Sequence, residues 1–453
     1  MQTDASSTSV VSPVTPSRGI GALPPAGRSA LKGGVVGNFV DNVHVFLPAF
    51  ALVPAMASLA GPDAAATSAS WVVIAMLLGR PVGGLLFGRL SDRWGRTRIT
   101  NLAITGTALC ALAIAVVPSY LVLGTATIAL VLILRFISGI FVAGQYSAAI
   151  PLAMEWARPA HRGLLSGLIL SMAPWAQAAI SFATAGLLVW LGAETYTAWG
   201  WRALFVAGAL ASGGMLLYYR RRVTDAPVFH RAAATPQPRA GVKEVLVGRH
   251  RRAFWQVFVM MTGLWILTNM TVLLLPGRLT GDVGLAASHA AATTGFAAMA
   301  QAVVMAIAGH LSTVLGRRRL LMAWGLAAAL LGPLVWWALI GSTGVATAAL
   351  LAALLQVVTV SAYGPVAAYL SERFPTRVRS TGYGMGYSLS LVLPALHPFY
   401  LPPLAAVCGH QGAVMVMIAL GGALVVLGAF LGPRLSPRDL DGDLDEVAEA
   451  AAR

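Results

Sequence analysis

Asp41 and His44 lie three residues apart in Gly37-Asn38-Phe39-Val40-Asp41-Asn42-Val43-His44, a short polar passage inside a long apolar run. Helical spacing puts them on one face, and a carboxyl group beside an imidazole is a pair that can take up and release a proton. A hydrogen-bonded pair that only fixes helix packing satisfies the same pattern. Arg80 and Arg135 sit deep in two further apolar runs. There an ionisable side chain costs about 2.5 to 3.5 kcal/mol on insertion scales and is a functional candidate by default. A guanidinium facing an aqueous cavity offers a planar fork that matches a carboxylate. These two arginines, with Gln145 and Tyr146, therefore form the candidate substrate-binding site. The competing role for Arg80 is a structural ion pair with Asp41. Trp175, Gln177, Asn269, Gln356, Tyr363 and His397 are further groups that can line a cavity or bridge helices.

A second constellation is mechanical. Gly88-Arg89-Leu90-Ser91-Asp92-Arg93-Trp94-Gly95-Arg96-Thr97-Arg98 is a basic turn between two apolar runs. Its glycines let helix ends approach closely, and Asp92 can accept hydrogen bonds from a neighbouring helix N-terminus or from an adjacent arginine. The turn returns at Gly309-His310-Leu311-Ser312-Thr313-Val314-Leu315-Gly316-Arg317-Arg318-Arg319, where Gly88, Leu90, Ser91, Gly95 and Arg96 find their matches. Glu155 and Arg162 recur in the same way as Glu372 and Arg379. Two repeats at nearly equal offsets indicate a duplicated chain, as in transporters built from repeats. Gly88, Asp92, Arg93, Gly95, Arg96, Glu155, Arg162, Gly316, Arg317, Glu372 and Arg379 are therefore the candidate gating residues.

The elements that must position these groups are apolar runs of about 20 residues, the length that crosses about 30 Å of hydrocarbon. Twelve can be counted between Gly34 and residue 432. They predict an all-α polytopic membrane protein, twelve transmembrane helices in two six-helix halves at 32–219 and 253–433. A basic, proline-containing linker is expected at 220–252, with a partly amphipathic surface helix. A Ser-, Pro- and Ala-rich disordered tail is expected at 1–31 and an acidic solvated tail at 434–453, both cytoplasmic. Trp199 and Trp201 suit an interfacial belt.

Composition agrees. Of 453 residues 57% are hydrophobic and 10% charged, against about 25% charged in soluble domains. The formal net charge of +15 raises the question of nucleic acid. However, every Lys and Arg except Arg80, Arg135, Arg202 and Arg278 falls in the termini or in alternate loops that share one side. Such sorting orients a chain in a bilayer, here the plasma (inner) membrane with both termini cytoplasmic, and leaves anionic lipid headgroups as the partner of the basic face. Cys110 and Cys408 lie in apolar runs and support no disulfide, and the eight histidines show no metal-ligand spacing. No cofactor or enzyme motif and no cleavable signal peptide is expected, and the chain is expected to work as a monomer.

The turn at Gly88 to Arg98 and its echo resemble the signature of the major facilitator superfamily. Within it, Arg80-Pro81-x-Gly83-Gly84-x-x-x-Gly88, Gly200-Trp201-Arg202-Ala203-Leu204-Phe205, Tyr219-Arg220-Arg221 with Asp225-x-Pro227-x-Phe229, and Glu372-Arg373-Phe374-Pro375-Thr376-Arg377-Val378-Arg379-Ser380-Thr381-Gly382 resemble the metabolite:proton symporter group of proline/betaine, citrate, alpha-ketoglutarate and shikimate permeases. Two departures shift charge in the implied cavity towards positive. The group's first span usually carries Gly-Asn-x-x-Glu-Trp-x-Asp, where Asp41 and His44 stand here, and its fourth span ends on an acid, where Gln145 stands. The resemblance implies the major facilitator fold and a secondary active transporter. The expectation is proton-coupled uptake of a small organic anion, with Arg80 and Arg135 holding the carboxylate and Asp41 with His44 carrying the proton. Import of a zwitterion, proton-driven efflux and a non-transporting membrane sensor are the alternatives.

Overall fold

In lipid a chain must satisfy its own backbone, so long Ala, Leu, Val and Ile runs become helices, and Gly or Pro marks where they turn. The computed structural model describes residues 24–227, 229, 241–435 and 437–452, and twelve such helices cross it. The first half contains α1 (Pro25–Leu47, continued in short turns to Ala60), α2 (Ala65–Trp94), α3 (Arg96–Ala115), α4 (Thr125–Trp156), α5 (Arg162–Thr195) and α6 (Trp201–Arg222). The second contains α7 (Arg251–Thr268, extended by Asn269–Leu273 and Leu275–Gly281), α8 (Ala287–Leu315), α9 (Arg317–Ile340) and α10 (Val345–Val360 with Val366–Ser371). It closes with α11 (Arg379–Leu389, Val392–Ala395 and on through 397–408) and α12 (410–430), parted by a turn at Gly409.

The duplication is written into the backbone. Gly95 and Gly316, ahead of α3 and α9, have φ of 95° and 85°, and Gly192 and Gly409, near the ends of α5 and α11, both have φ of 77°. A side chain is strained at such angles, so these turns need glycine. Wide π-turns also recur at Pro48–Leu52 in α1 and Asn269–Leu273 in α7, local unwindings of a kind frequent at functional sites.

The halves meet along two seams, α2 against α11 and α5 against α8. Close approach decides what stands there. A Cβ on Gly88 would lie 3.0 Å from the Ser380 carbonyl oxygen, and one on Gly309 would run into the backbone of Gly167.

Three expectations from sequence need correction. Residues 25–31 are the first turns of α1, begun by Pro25 at a position where the missing N–H costs nothing; the rest of the expected N-terminal tail, 1–23, lies outside the described residues. Trp201 does not face lipid but is fully buried in the protein, edge-on to Phe205 at 5.8 Å, whereas Trp199 is exposed. The acidic tail is not merely solvated. Its helix α13 (Leu444–Ala450) is started by a capping box of Asp443 and Glu446 and buries Leu444, Val447 and Ala448 along one face. In the linker, Val242–Leu246 forms one helical turn that buries Val245, while 231–240 lie outside the described residues.

Charge sorting predicts that the basic end, bearing Arg93 and Arg319, is cytoplasmic. Cys408 is exposed at the other end, and Cys110 is buried. An impermeant maleimide should therefore label Cys408 in intact cells, and should label Val247→Cys in a Cys408→Ala background only after permeabilisation. Labelling of Val247→Cys in intact cells would reverse the orientation.

Candidate functional site

Between the halves lies a cavity of about 60 Å³, lined from both of them. Arg80 of α2 enters it, buried to 1% exposure. Its guanidinium lies over three rings, 4.8 Å from the centre of Tyr146, 5.0 Å from Trp265 and 5.5 Å from Tyr387. The rings are themselves fixed. Tyr146 exchanges hydrogen bonds with Asn42 at 2.9 and 3.1 Å and stacks on Tyr387 across the seam at 4.8 Å, while Trp265 Nε1 donates to the Tyr387 carbonyl at 2.9 Å. Cation–π contact holds the charge without using its N–H groups. Among the described residues Nε and Nη2 of Arg80 have no hydrogen-bond partner, and neither do Nε2 of Gln177 nor Oε1 of Gln301. A buried polar group left unmade costs about 1 to 3 kcal/mol, so the Arg80 and Gln177 donors are poised for an acceptor and Gln301 Oε1 for a donor.

The structure does not bring all the expected substrate residues to the cavity. Arg80, Tyr146, Gln177 and Tyr363 line it; Arg135, Gln145, Trp175, Asn269, Gln356 and His397 are not among its lining residues. Arg135 is buried within the first half, where it donates to the His44 carbonyl at 3.1 Å and to the Met76 sulfur. Trp265, Tyr387 and Gln301 were not singled out from the sequence. Tyr387 stands one turn after Tyr383 in a Gly-rich stretch, the one available signal.

Asp41 and His44 share a face of α1, yet among the described residues no hydrogen bond joins them. His44 Nε2 meets Ser212 Oγ of α6 at 2.7 Å. Asp41 is 5% exposed and makes no ion pair among the described residues; Arg80 is the nearby charge that acts on it. The two side chains, though on one face, thus turn to different neighbours.

The candidate gating residues gather at the basic end. Asp92, ending α2, accepts from the backbone N–H groups of Ser380 and Thr381 at 3.1 and 2.8 Å and from the Thr381 hydroxyl at 2.7 Å. A carboxylate of one half thus caps the first turn of α11 in the other, where the helix dipole favours negative charge. Glu155, wholly buried at the end of α4, receives Arg96 at 2.7 Å and Arg379 at 2.8 Å. In the second copy Arg317 grips Glu372 through two bonds of 2.8 and 2.7 Å. Arg162, the counterpart of Arg379, donates to the Gly442 carbonyl at 2.9 Å. Gly95 and Gly316 form the turns behind these arginines, whereas Arg93 is exposed and joins none of the ion pairs found among the described residues. Two partners were not expected. Asp225 caps α3, accepting from Arg96 N and Thr97 N at 2.9 Å each. Asp445 of α13 takes Arg379 at 2.8 Å and the Thr376 N–H at 2.6 Å.

At the other end the halves touch through Trp71 edge-on to Phe399, ring centres 5.7 Å apart, and through a long Thr294–Ser181 contact of 3.5 Å. The polar lock is therefore at the basic end.

The sequence profile described as Major Facilitator Superfamily matches residues 37–398. The chain is 27% identical over 395 residues to a proline/betaine transporter of Salmonella typhimurium, covering 82% of this chain and 76% of the relative. It is 28% identical over 356 residues to an alpha-ketoglutarate permease of Escherichia coli, covering 77% of each. Among solved structures, the proton:xylose symporter XylE bound to 6-bromo-6-deoxy-D-glucose superposes with a TM-score of 0.72 at 17% identity, covering 89% of this chain and 94% of that one. This last likeness concerns the fold.

Asp92→Asn removes a charge from three hydrogen bonds, a loss of about 1.5 to 3 kcal/mol, or roughly ten- to a hundred-fold in the closure equilibrium. Spin labels at Arg93→Cys and Arg319→Cys, in a background without native cysteines, should report longer and broader distances in Asp92→Asn, and likewise on deletion of 441–453. An unchanged distribution would rule out the latch.

Proposed function

We propose, from the premise that this chain belongs to the Major Facilitator Superfamily and is a multi-pass membrane transporter, that it imports a small organic carboxylate together with a proton by alternating access. The plasma membrane is its proposed site, with the basic end and both termini cytoplasmic. The observation that carries the substrate class is the set of buried donors without partners, Nε and Nη2 of Arg80 with Nε2 of Gln177, facing one cavity. A carboxylate satisfies two guanidinium N–H groups at once. As closed, the cavity is well below the roughly 300 Å³ of an ordinary small-molecule site, so solute entry requires the halves to part. The weaker contacts at the end away from the basic face support opening there first.

Coupling follows from charge. Asp41 is a buried acid within electrostatic reach of Arg80. A substrate carboxylate on Arg80 puts two anions beside one cation, and the balanced arrangement is the one in which Asp41 holds a proton. Substrate and proton then cross together, and loss of the proton restores the Asp41 charge within reach of Arg80 and expels the solute. The gate residues Asp92, Arg96, Glu155 and Arg379 act on the rate of exchange rather than on recognition.

One observation favours a second reading, a zwitterion such as a betaine or amino acid. Tyr146, Tyr363, Tyr387 and Trp265 surround the cavity, and no acid is among its described lining residues. Aromatic faces are the usual partners of quaternary ammonium. The naming of a proline/betaine transporter and of an alpha-ketoglutarate permease among the relatives spans both readings.

In proteoliposomes Arg80→Lys should weaken substrate binding about ten- to a hundred-fold, since an ammonium does not reproduce the fork, whereas Arg135→Lys should lower thermal stability and change affinity only a few-fold. Equal loss in both would return Arg135 to the binding site. Asp41→Asn should abolish accumulation driven by a pH gradient while sparing counterflow; persisting substrate-driven alkalinisation would place the proton elsewhere. Competition by dicarboxylates, betaines and their carboxamides, neutral for the first and cationic for the second, separates the two substrate readings. Displacement by the amides as effective as by the acids would defeat both.

A further inference from the structure

The basic end carries a second cavity, of about 600 Å³, far from the central one. Its walls are the first turn of α9 (Gly316 to Arg319), the end of α10 and following loop (Tyr369 to Arg373), and the chain after α12 (Pro433 to Leu435). Five of the lining side chains are arginines: Arg317, Arg318, Arg319, Arg373 and Arg434. The lining acid is Glu372, and both its oxygens are already taken by Arg317. Arg318 is held in place by the last carbonyls of α12, donating to Ala429 at 3.2 Å and Phe430 at 2.9 Å. Arg373 is 7% exposed and uses one N–H on the Ala451 carbonyl at 3.0 Å, while its Nε has no partner among the described residues. Burial also pulls the Arg373 pKa below the usual arginine value, a cost that an anion beside it removes.

The internal repeat shows what such a place accepts. In the first half the matching turn, Gly95 into α3, is occupied by a carboxylate: Asp225, three residues past α6, sits on the N–H groups of Arg96 and Thr97. In the second half the chain three and four residues past α12 is Pro433-Arg434, and arginines gather where the first half supplies an acid. A helix N-terminus reinforced by fixed guanidiniums is a site for a multiply charged oxyanion. Apolar side chains lie at and beside the opening: Val314 and Leu315 among its walls, exposed by 68% and 48%, and Phe430, under the Arg318 guanidinium, with Leu431, exposed by 53% and 58%.

We propose that this cavity binds a phosphate group, and that its ordinary source is the headgroup of an anionic phospholipid whose acyl chains lie over the apolar rim. Phosphate takes the place in the second half that the Asp225 carboxylate takes in the first, bridging α9, α10 and the chain after α12.

The test uses the purified full-length protein in an uncharged detergent, with thermal unfolding read against short-chain phosphatidylglycerol, phosphatidylcholine of the same chain length, and inorganic phosphate. Phosphatidylglycerol should stabilise the protein. Arg319→Gln/Arg434→Gln, both at the exposed rim and outside the gate, should weaken that effect at least tenfold, whereas Arg220→Gln/Arg221→Gln on the matching face of the first half should not. Competition by inorganic phosphate identifies the phosphate as the recognised group; stabilisation by phosphatidylglycerol without phosphate competition shows that the lipid as a whole is required. If phosphate stabilises and phosphatidylglycerol acts no better than phosphatidylcholine, the site stands and the lipid source is overturned. Phosphatidylcholine equal to phosphatidylglycerol with no phosphate effect, or full response in the rim variant, overturns the site.

Discussion

Glu155 is a wholly buried carboxylate between Arg96 of its own half and Arg379 of the other, and the closed state depends on it. A charge in that position is tolerated only while its partners stay, and stripping one partner from a buried pair typically costs about 3 to 5 kcal/mol. Each arginine is further committed. Arg96 donates to the Thr376 carbonyl at 3.2 Å, and Arg379 donates to the Ser371 and Phe374 carbonyls at 3.2 and 3.1 Å. Separating the halves at this end therefore uncouples several buried polar groups together.

The same two helices carry the lock and the site. α2 bears Arg80 in the cavity and Asp92 at the gate; α11 receives Asp92 on its first turn and presents Tyr387 to Arg80 two turns later. A rigid helix moves as a body, so tilting α11 away from α2 releases the Asp92 cap and separates Tyr387 from Tyr146 in one motion. Rocking of packed halves is amplified in this way because the interface has discrete arrangements. α2 and α11 thus join the cavity and the basic-end contacts in one pair of packed helices.

The two repeats have diverged in how they cross the seam. In the first copy a carboxylate reaches over, as Asp92 to α11 and Glu155 to Arg379. In the second, Arg317 and Glu372 stay within their half, Thr313 stands where Asp92 would, and Arg162 crosses instead to the tail carbonyl of Gly442. The C-terminal segment supplies what the second copy lacks. Through Asp445 on Arg379, Gly442 on Arg162 and Ala451 on Arg373, it straps both sides of the gate.

By itself the sequence determined the twelve helices, the duplicated turns and which charged residues stand at the basic end. Long apolar runs have one solution in lipid, and Gly95, Gly316, Asp92 and Glu155 stand out because charges and glycine turns are costly or sharply constrained there. Tertiary structure alone decided which polar groups meet. α1, α2 and α4 are apolar nearly all round, so no periodic pattern says which face turns inwards; packing sent Arg80 into the cavity, Arg135 onto the His44 carbonyl and His44 onto Ser212. Trp265, Tyr387, Asp225 and Asp445 found their roles only across the seam or across a helix junction, with partners as much as 307 residues away, as for Tyr387 and Arg80. Such contacts leave no local mark, because each residue taken alone is an ordinary aromatic in a span or an ordinary acid in a loop.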